Sequence, residues 1–177
     1  MIAKRVSKGV PWRMTFSRFG RYWFPVLVWL GVLFLGSSDL MSAEQTSRFL
    51  VPFLRWLKPE VTAEAIAQIH LLVRKGAHLM EYAVLAVLLW RAIYRGTNLK
   101  MKMSILCASV WMATALLAGA DEFHQSFISS RTSSAGDAVI DVIGATIGLA
   151  LCLLINRKSA RTFATVPESR EDRQSEI

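Results

Sequence analysis

The sequence predicts an all-α fold: a polytopic membrane bundle of four transmembrane helices, with an extracytoplasmic amphipathic helical segment between spans one and two. Three observations predict it. Apolar residues make up 53% of the 177-residue chain and are gathered into blocks, not spread at amphipathic spacing. Four of those blocks come close to the ~20 residues that cross a hydrocarbon core about 30 Å thick. Basic residues gather beside alternate ends of the blocks, the pattern expected where loop charge sets membrane orientation.

The elements follow in order. Residues 1–21 form a basic cytoplasmic segment in which Lys4, Arg5, Lys8, Arg13, Arg18 and Arg21 occur without an acid. Span one fills the 17 uncharged positions between Arg21 and Asp39. Its basic start and apolar run at 23–35 imitate a signal peptide, with Gly36, Ser37 and Ser38 as small residues for cleavage. An uncleaved anchor is expected, because the remaining spans need this helix to complete a bundle.

The connection to span two is itself patterned. Within 48–58, Phe49, Leu50, Phe53, Leu54, Trp56 and Leu57 alternate with Arg48, Arg55 and Lys58, as in a short helix lying in the membrane interface. Pro52 is expected to start or kink it. Thr62 then caps a second helix, with Glu64 in its first turn and Ile66, Ile69 and Val73 on one apolar face. That helix is expected to run into span two at 76–94, with Gly76 marking a bend or a close contact. Span three fills the 18 uncharged positions between Lys102 and Asp121, and span four covers 138–156. Residues 157–177 form a cytoplasmic tail, almost without apolar residues from Thr162 onward and expected to be disordered.

Of the 21 basic residues, 15 lie before span one, around the connection between spans two and three, or after span four. Both termini are therefore assigned to the cytoplasm and the polar clusters to the outer side. A net charge of +8 raises the question of nucleic acid, but the charge is dispersed over membrane flanks with no compact basic domain or recognition motif. Membrane lipids are the expected partners and nucleic acid is not one. Cys107 and Cys152 lie inside apolar runs, where thiols behave as small hydrophobes, so no disulfide scaffold is expected.

The functional signal is a set of charged groups at membrane edges, where charge is costly and a site is the default hypothesis. Lys75, His78 and Tyr82 share one stripe of a helix by their i, i+3, i+7 spacing, with Glu81 on its edge. Asp121, Glu122 and Gln125 end span three, and Arg131 is the one basic residue before span four. Asp137, Asp141, Gly144 and Gly148 follow i, i+4, i+7, i+11, so two carboxylates continue into a groove of small residues that allows close helix packing. Lys75, His78, Glu81, Tyr82, Asp121, Glu122, Gln125, Arg131, Asp137 and Asp141 are the expected ligand-binding set. His78, Glu81 and Asp121 are the catalytic candidates. A metal reading can be built on His78 and Glu81 with His124 and Asp121 or Glu122, but the spacing is generic and HExxH is absent, so neither a metal nor another cofactor is expected. A Ser nucleophile among Ser126, Ser129, Ser130, Ser133 and Ser134 has no identifying frame.

At these residues the chain resembles the VanZ-like family of bacterial membrane proteins. The matching patterns are Lys75-x-x-His78-x-x-Glu81-Tyr82, then Asp121-Glu122-x-x-Gln125-x-Phe127 with Arg131, then Asp137-x-x-x-Asp141-x-x-Gly144-x-x-x-Gly148. The resemblance implies a VanZ-like four-helix domain over 22–156, a multi-pass protein of the bacterial cell membrane, and low-level teicoplanin resistance as a candidate phenotype. The family pattern usually carries Asn where this chain has Asp141, which implies that Asp141→Asn is tolerated and Asp137→Asn is more damaging. Three functions stay open: an outward pocket that engages an amphiphilic or lipid-linked ligand, a membrane enzyme using acid and base residues on a lipid headgroup, and a structural membrane module. The oligomeric state stays open as well.

Overall fold

A computed structural model describes residues 12–38, 43–97, 99, 101–128 and 134–164. Five helices follow one another: α1 (Trp12–Ser37), α2 (Ala43–Leu57), α3 (Ala63–Gly96), α4 (Met103–Gln125) and α5 (Ala135–Ala164). All but α2 are long and apolar enough to cross a membrane, and no strand occurs among the described residues. The expected class, a bundle of four spans with an amphipathic helix after the first, is the observed one.

The helices alternate in direction. Trp29 Nε1 donates to the Glu81 carbonyl at 2.9 Å, and at the other end the Arg18 guanidinium donates to the Arg95 carbonyl at 3.0 Å, so α1 and α3 are antiparallel. Trp111 Nε1 on α4 donates to Thr146 Oγ1 on α5 at 3.2 Å. α3 and α5 run parallel, since Arg74, His78, Leu79 and Ala83 meet Asp137, Asp141, Gly144 and Gly148 in the same order, and they form the most extensively packed helix pair among the described residues. α3 is the central element: Tyr82, Leu85, Ala86, Leu89, Trp90 and Ala92 are buried there against Val26 and Leu33 of α1, Leu106, Val110 and Ala118 of α4, and Ala145, Leu149 and Cys152 of α5. The opposite faces expose Phe24, Leu27, Met112, Leu116, Leu151 and Leu154, as helices bathed in hydrocarbon should. Thr114 and Thr146 lie inside spans and satisfy their hydroxyls by donating to the carbonyls of Val110 and Val142.

The two ends differ in chemistry. One carries a belt of aromatic and basic groups, with Trp90 stacked on Tyr94 at 4.7 Å, Phe19 on Trp23 at 5.5 Å and the Arg91 guanidinium 5.2 Å from the Tyr22 ring centroid. The other, called here the polar end, collects the C-termini of α1 and α4, the N-terminus of α5 and the middle of α3. At 34 residues, α3 is about 50 Å long, well beyond one hydrocarbon thickness, so its first turns project past the polar end. α2 packs on that projection, where Ser47 Oγ lies 3.3 Å from His70 Nε2.

Several boundaries differ from expectation. α1 is helical from Trp12, so the basic leader is not separate from the first helix over 12–21. α2 begins at Ala43 and holds Pro52 in its interior. Thr62 caps α3 by accepting from the Ala65 N–H at 3.2 Å. From there α3 is unbroken, and a Cβ at Gly76 would meet nothing within 4 Å, which corrects the expectation of a close contact there. α5 continues to Ala164, past the expected start of a disordered tail, and residues 165–177 lie outside the described residues. Cys107 and Cys152 are free thiols.

Candidate functional site

The site is a ladder between two parallel helices. On α3, Arg74 and His78 are one turn apart; on α5, Asp137 and Asp141 are one turn apart. Parallel helices of the same pitch keep such rows in register, and both pairs close with the same sequence offset. Arg74 donates to Asp137 Oδ2 at 2.9 Å, and His78 Nδ1 lies 3.1 Å from Asp141 Oδ1. One turn further in, the carbonyls of Leu79 and Ala83 lie so close to Gly144 and Gly148 that any Cβ there would overlap them. Those two glycines let the backbones of α3 and α5 approach, and the close approach brings the rungs together.

Burial deepens down the ladder. The Arg74 and Asp137 side chains are 28% and 9% exposed, whereas those of His78 and Asp141 are 6% and 0% exposed. The outer pair is therefore partly open to its surroundings and the inner pair is closed off from them. Tyr82, one turn below His78, is buried as the floor.

α4 adds the third wall. Asp121 accepts from Ser37 Oγ at 2.5 Å and from Gln125 Nε2 at 3.0 Å, which ties α4 to the C-terminus of α1. One ligand atom each of His78, Asp121 and Asp141 then lies within 4.8 Å of the others. Glu122 faces elsewhere: its Oε2 accepts from the Ser134 N–H at 2.7 Å, a carboxylate placed at the positive end of the α5 dipole. Ser134 Oγ in turn accepts from the Gly136 N–H at 3.2 Å, which makes it the capping residue of α5.

Of the residues expected from sequence, His78, Asp121, Gln125, Asp137 and Asp141 stand together with Tyr82 below them. Glu81 is turned toward α1, where its Oε1 would lie 3.6 Å from a Cβ at Gly36. Lys75 is half-buried and is not the cation of the outer rung; Arg74 is. Arg131 lies outside the described residues. His124 packs against Phe34, with ring centroids 5.2 Å apart, so it does not join the metal-competent set weighed from sequence, and neither does Glu81 among the described residues. Sequence reasoning missed Arg74, Ser37 and Ser134. The spacing of four between Arg74 and His78, matching that between Asp137 and Asp141, was the signal available for Arg74. Nothing marked Ser37.

The family model VanZ/LLP1 matches residues 22–156, three quarters of the chain and all the residues of the ladder. This chain belongs to the VanZ/LLP1 family. No curated protein and no solved structure matches it. The family match runs from the first span to the end of the apolar part of α5, so the ladder, the Asp121 wall and the glycine groove all belong to the VanZ/LLP1 portion of the chain.

Proposed function

We propose that this VanZ/LLP1 protein sits in the bacterial cell membrane with its polar end outward and there engages the headgroup of an amphiphile. The observation that carries the reading is the charged ladder of Arg74, His78, Asp137 and Asp141, with Asp121 beside it, at the end of the bundle where α2 lies. So many ionisable groups at one depth of an apolar bundle are costly merely to pack helices, which supports a functional role. Lys75 has no hydrogen bond or ion pair to a described residue and, with Arg74, supplies positive charge for a phosphate or carboxylate. Arg131 is proposed as a third such cation. α2 exposes Phe49, Phe53, Trp56 and Leu57, an apolar surface suited to an acyl chain. The outward orientation rests on the basic residues at the opposite end.

A lipid-tailed glycopeptide or a lipid-linked wall intermediate has the required chemistry, so reduced teicoplanin susceptibility is the phenotype proposed. Cells expressing the protein should tolerate teicoplanin better than a glycopeptide lacking the acyl tail, and the double variant Arg74→Ala, Lys75→Ala should lose that difference at equal abundance. An equal response to both drugs would remove acyl recognition from the account. Retention of the difference by the double variant would remove the cations.

The inner rung favours a second reading, a membrane enzyme acting on a lipid headgroup. A carboxylate 3.1 Å from an imidazole nitrogen can orient that ring for proton transfer, which makes His78 the general base and Asp141 its positioning residue. Time-dependent conversion of a lipid by the purified protein, lost in His78→Gln, would establish catalysis. Binding without conversion would leave the first reading.

A further inference from the structure

We infer that His78, Asp121 and Asp141 form a site for a divalent first-row metal ion, with Zn2+ the best match to the donors. Three different helices deliver them: α3 an imidazole, α4 and α5 one carboxylate each, with one ligand atom of each within 4.8 Å of the others. Ligands about 2 Å from a tetrahedral ion stand roughly 3.3 Å apart. His78 Nδ1 and Asp141 Oδ1 are already 3.1 Å apart, and the Asp121 ligand atom lies within 4.8 Å of its two partners. One nitrogen and two carboxylate oxygens suit zinc or manganese better than calcium, which takes six to eight oxygens.

Two further observations point to a ligand in this place. Asp141 and Gln125 are both 0% exposed, and among the described residues Asp141 Oδ2 and Gln125 Oε1 have no hydrogen-bond partner. Buried acceptors left without donors are rare and demand a donor or a cation. The second is charge. Arg74 pairs with Asp137, Glu122 accepts at the start of α5 and Glu81 is turned to α1, so among the described residues His78 is the one basic group beside the carboxylates of Asp121 and Asp141. With a neutral imidazole and both carboxylates ionised, the trio carries two negative charges. A dication cancels both; a proton on His78 cancels one, and a water molecule none.

Outer contacts of the expected kind are present. The Ser37 hydroxyl and the Gln125 amide both donate to Asp121, holding its carboxylate as supporting groups hold metal ligands. Three protein ligands leave at least one coordination position open, the arrangement of sites that bind or activate a further ligand, not of closed structural sites. The inference does not rest on the headgroup reading, since an amphiphile can be held at the outer rung with no ion beneath it.

The test uses the full chain purified in detergent, stripped with a chelator and titrated with Zn2+ and Mn2+, with metal content measured by mass spectrometry. One ion should bind per chain, and His78→Gln, Asp121→Asn and Asp141→Asn should each lower affinity at least about ten-fold. Glu60→Gln with Glu64→Gln, two exposed acids on and before α3, should change nothing. Co2+ should give visible absorption of a four- or five-coordinate ion in the wild type, a readout that needs no variant to fold. No stoichiometric ion and no such Co2+ spectrum would overturn the site, as would undiminished binding in folded Asp141→Asn. Either result would leave the teicoplanin comparison standing or falling by itself.

Discussion

Asp141 is fully buried, 3.1 Å from His78, and one turn above a glycine that touches a neighbouring backbone. Removing its side chain leaves an imidazole buried without its partner, and breaking a buried pair in this way costs roughly 3–5 kcal/mol. Asp141→Ala should therefore lower thermal stability in detergent much more than Asp137→Ala, whose pair with the part-exposed Arg74 contributes about 1 kcal/mol. Asp141→Asn keeps an oxygen for His78 and removes a buried charge. It should fold with stability within about 1 kcal/mol of the parent while losing metal. A stability loss in Asp141→Asn as large as in Asp141→Ala would contradict this account of the inner rung. Arg74 and Lys75 show what residue-level reasoning could not decide. On a helix turning about 100° per residue, Arg74 stands ~40° to one side of His78 and Lys75 ~60° to the other. The two are nearly equivalent on α3 alone, and the position of α5 selects Arg74.

Helix pairing rests on small residues at specific heights. Gly144→Ala or Gly148→Ala would push a methyl group into the Leu79 or Ala83 carbonyl, so α3 and α5 must separate; either should cost about 1–3 kcal/mol by thermal unfolding and weaken the ladder. Gly76→Ala and Gly119→Ala, where a Cβ meets nothing within 4 Å, should be neutral or stabilising by up to about 1 kcal/mol. If Gly76→Ala were as damaging as Gly144→Ala, the open face of α3 would be wrongly described. Thr62→Ala removes the acceptor for the Ala65 N–H and should cost about 1 kcal/mol, seen as faster hydrogen exchange in the first turns of α3. The Thr62 cap and the Gly144 and Gly148 groove were legible because each is a local pattern on one helix. The contact assigned to Gly76 was not, since a lone glycine in a helix does not reveal whether anything faces it.

For the molecule as a whole, orientation is the remaining expectation, and it is directly measurable. With Cys107 and Cys152 replaced by Ser, Gln68→Cys on the projecting part of α3 should react with a membrane-impermeant maleimide in intact cells, whereas Met101→Cys should react only after permeabilisation. The opposite pattern would place the ladder at the cytoplasm and end the headgroup reading. The four spans, the amphipathic α2 and the gathering of acids at one end follow from the sequence by itself, because the length of an apolar run and the cost of charge in hydrocarbon are local properties of the chain. Tertiary structure alone decided that Arg74 holds Asp137, that Ser37 reaches Asp121, and that His78, Asp121 and Asp141 converge while His124 and Glu81 turn away. Those outcomes depend on the rotation and axial register of α3 against α5, and that register is set where two glycines admit two carbonyls, a fit that exists only between helices.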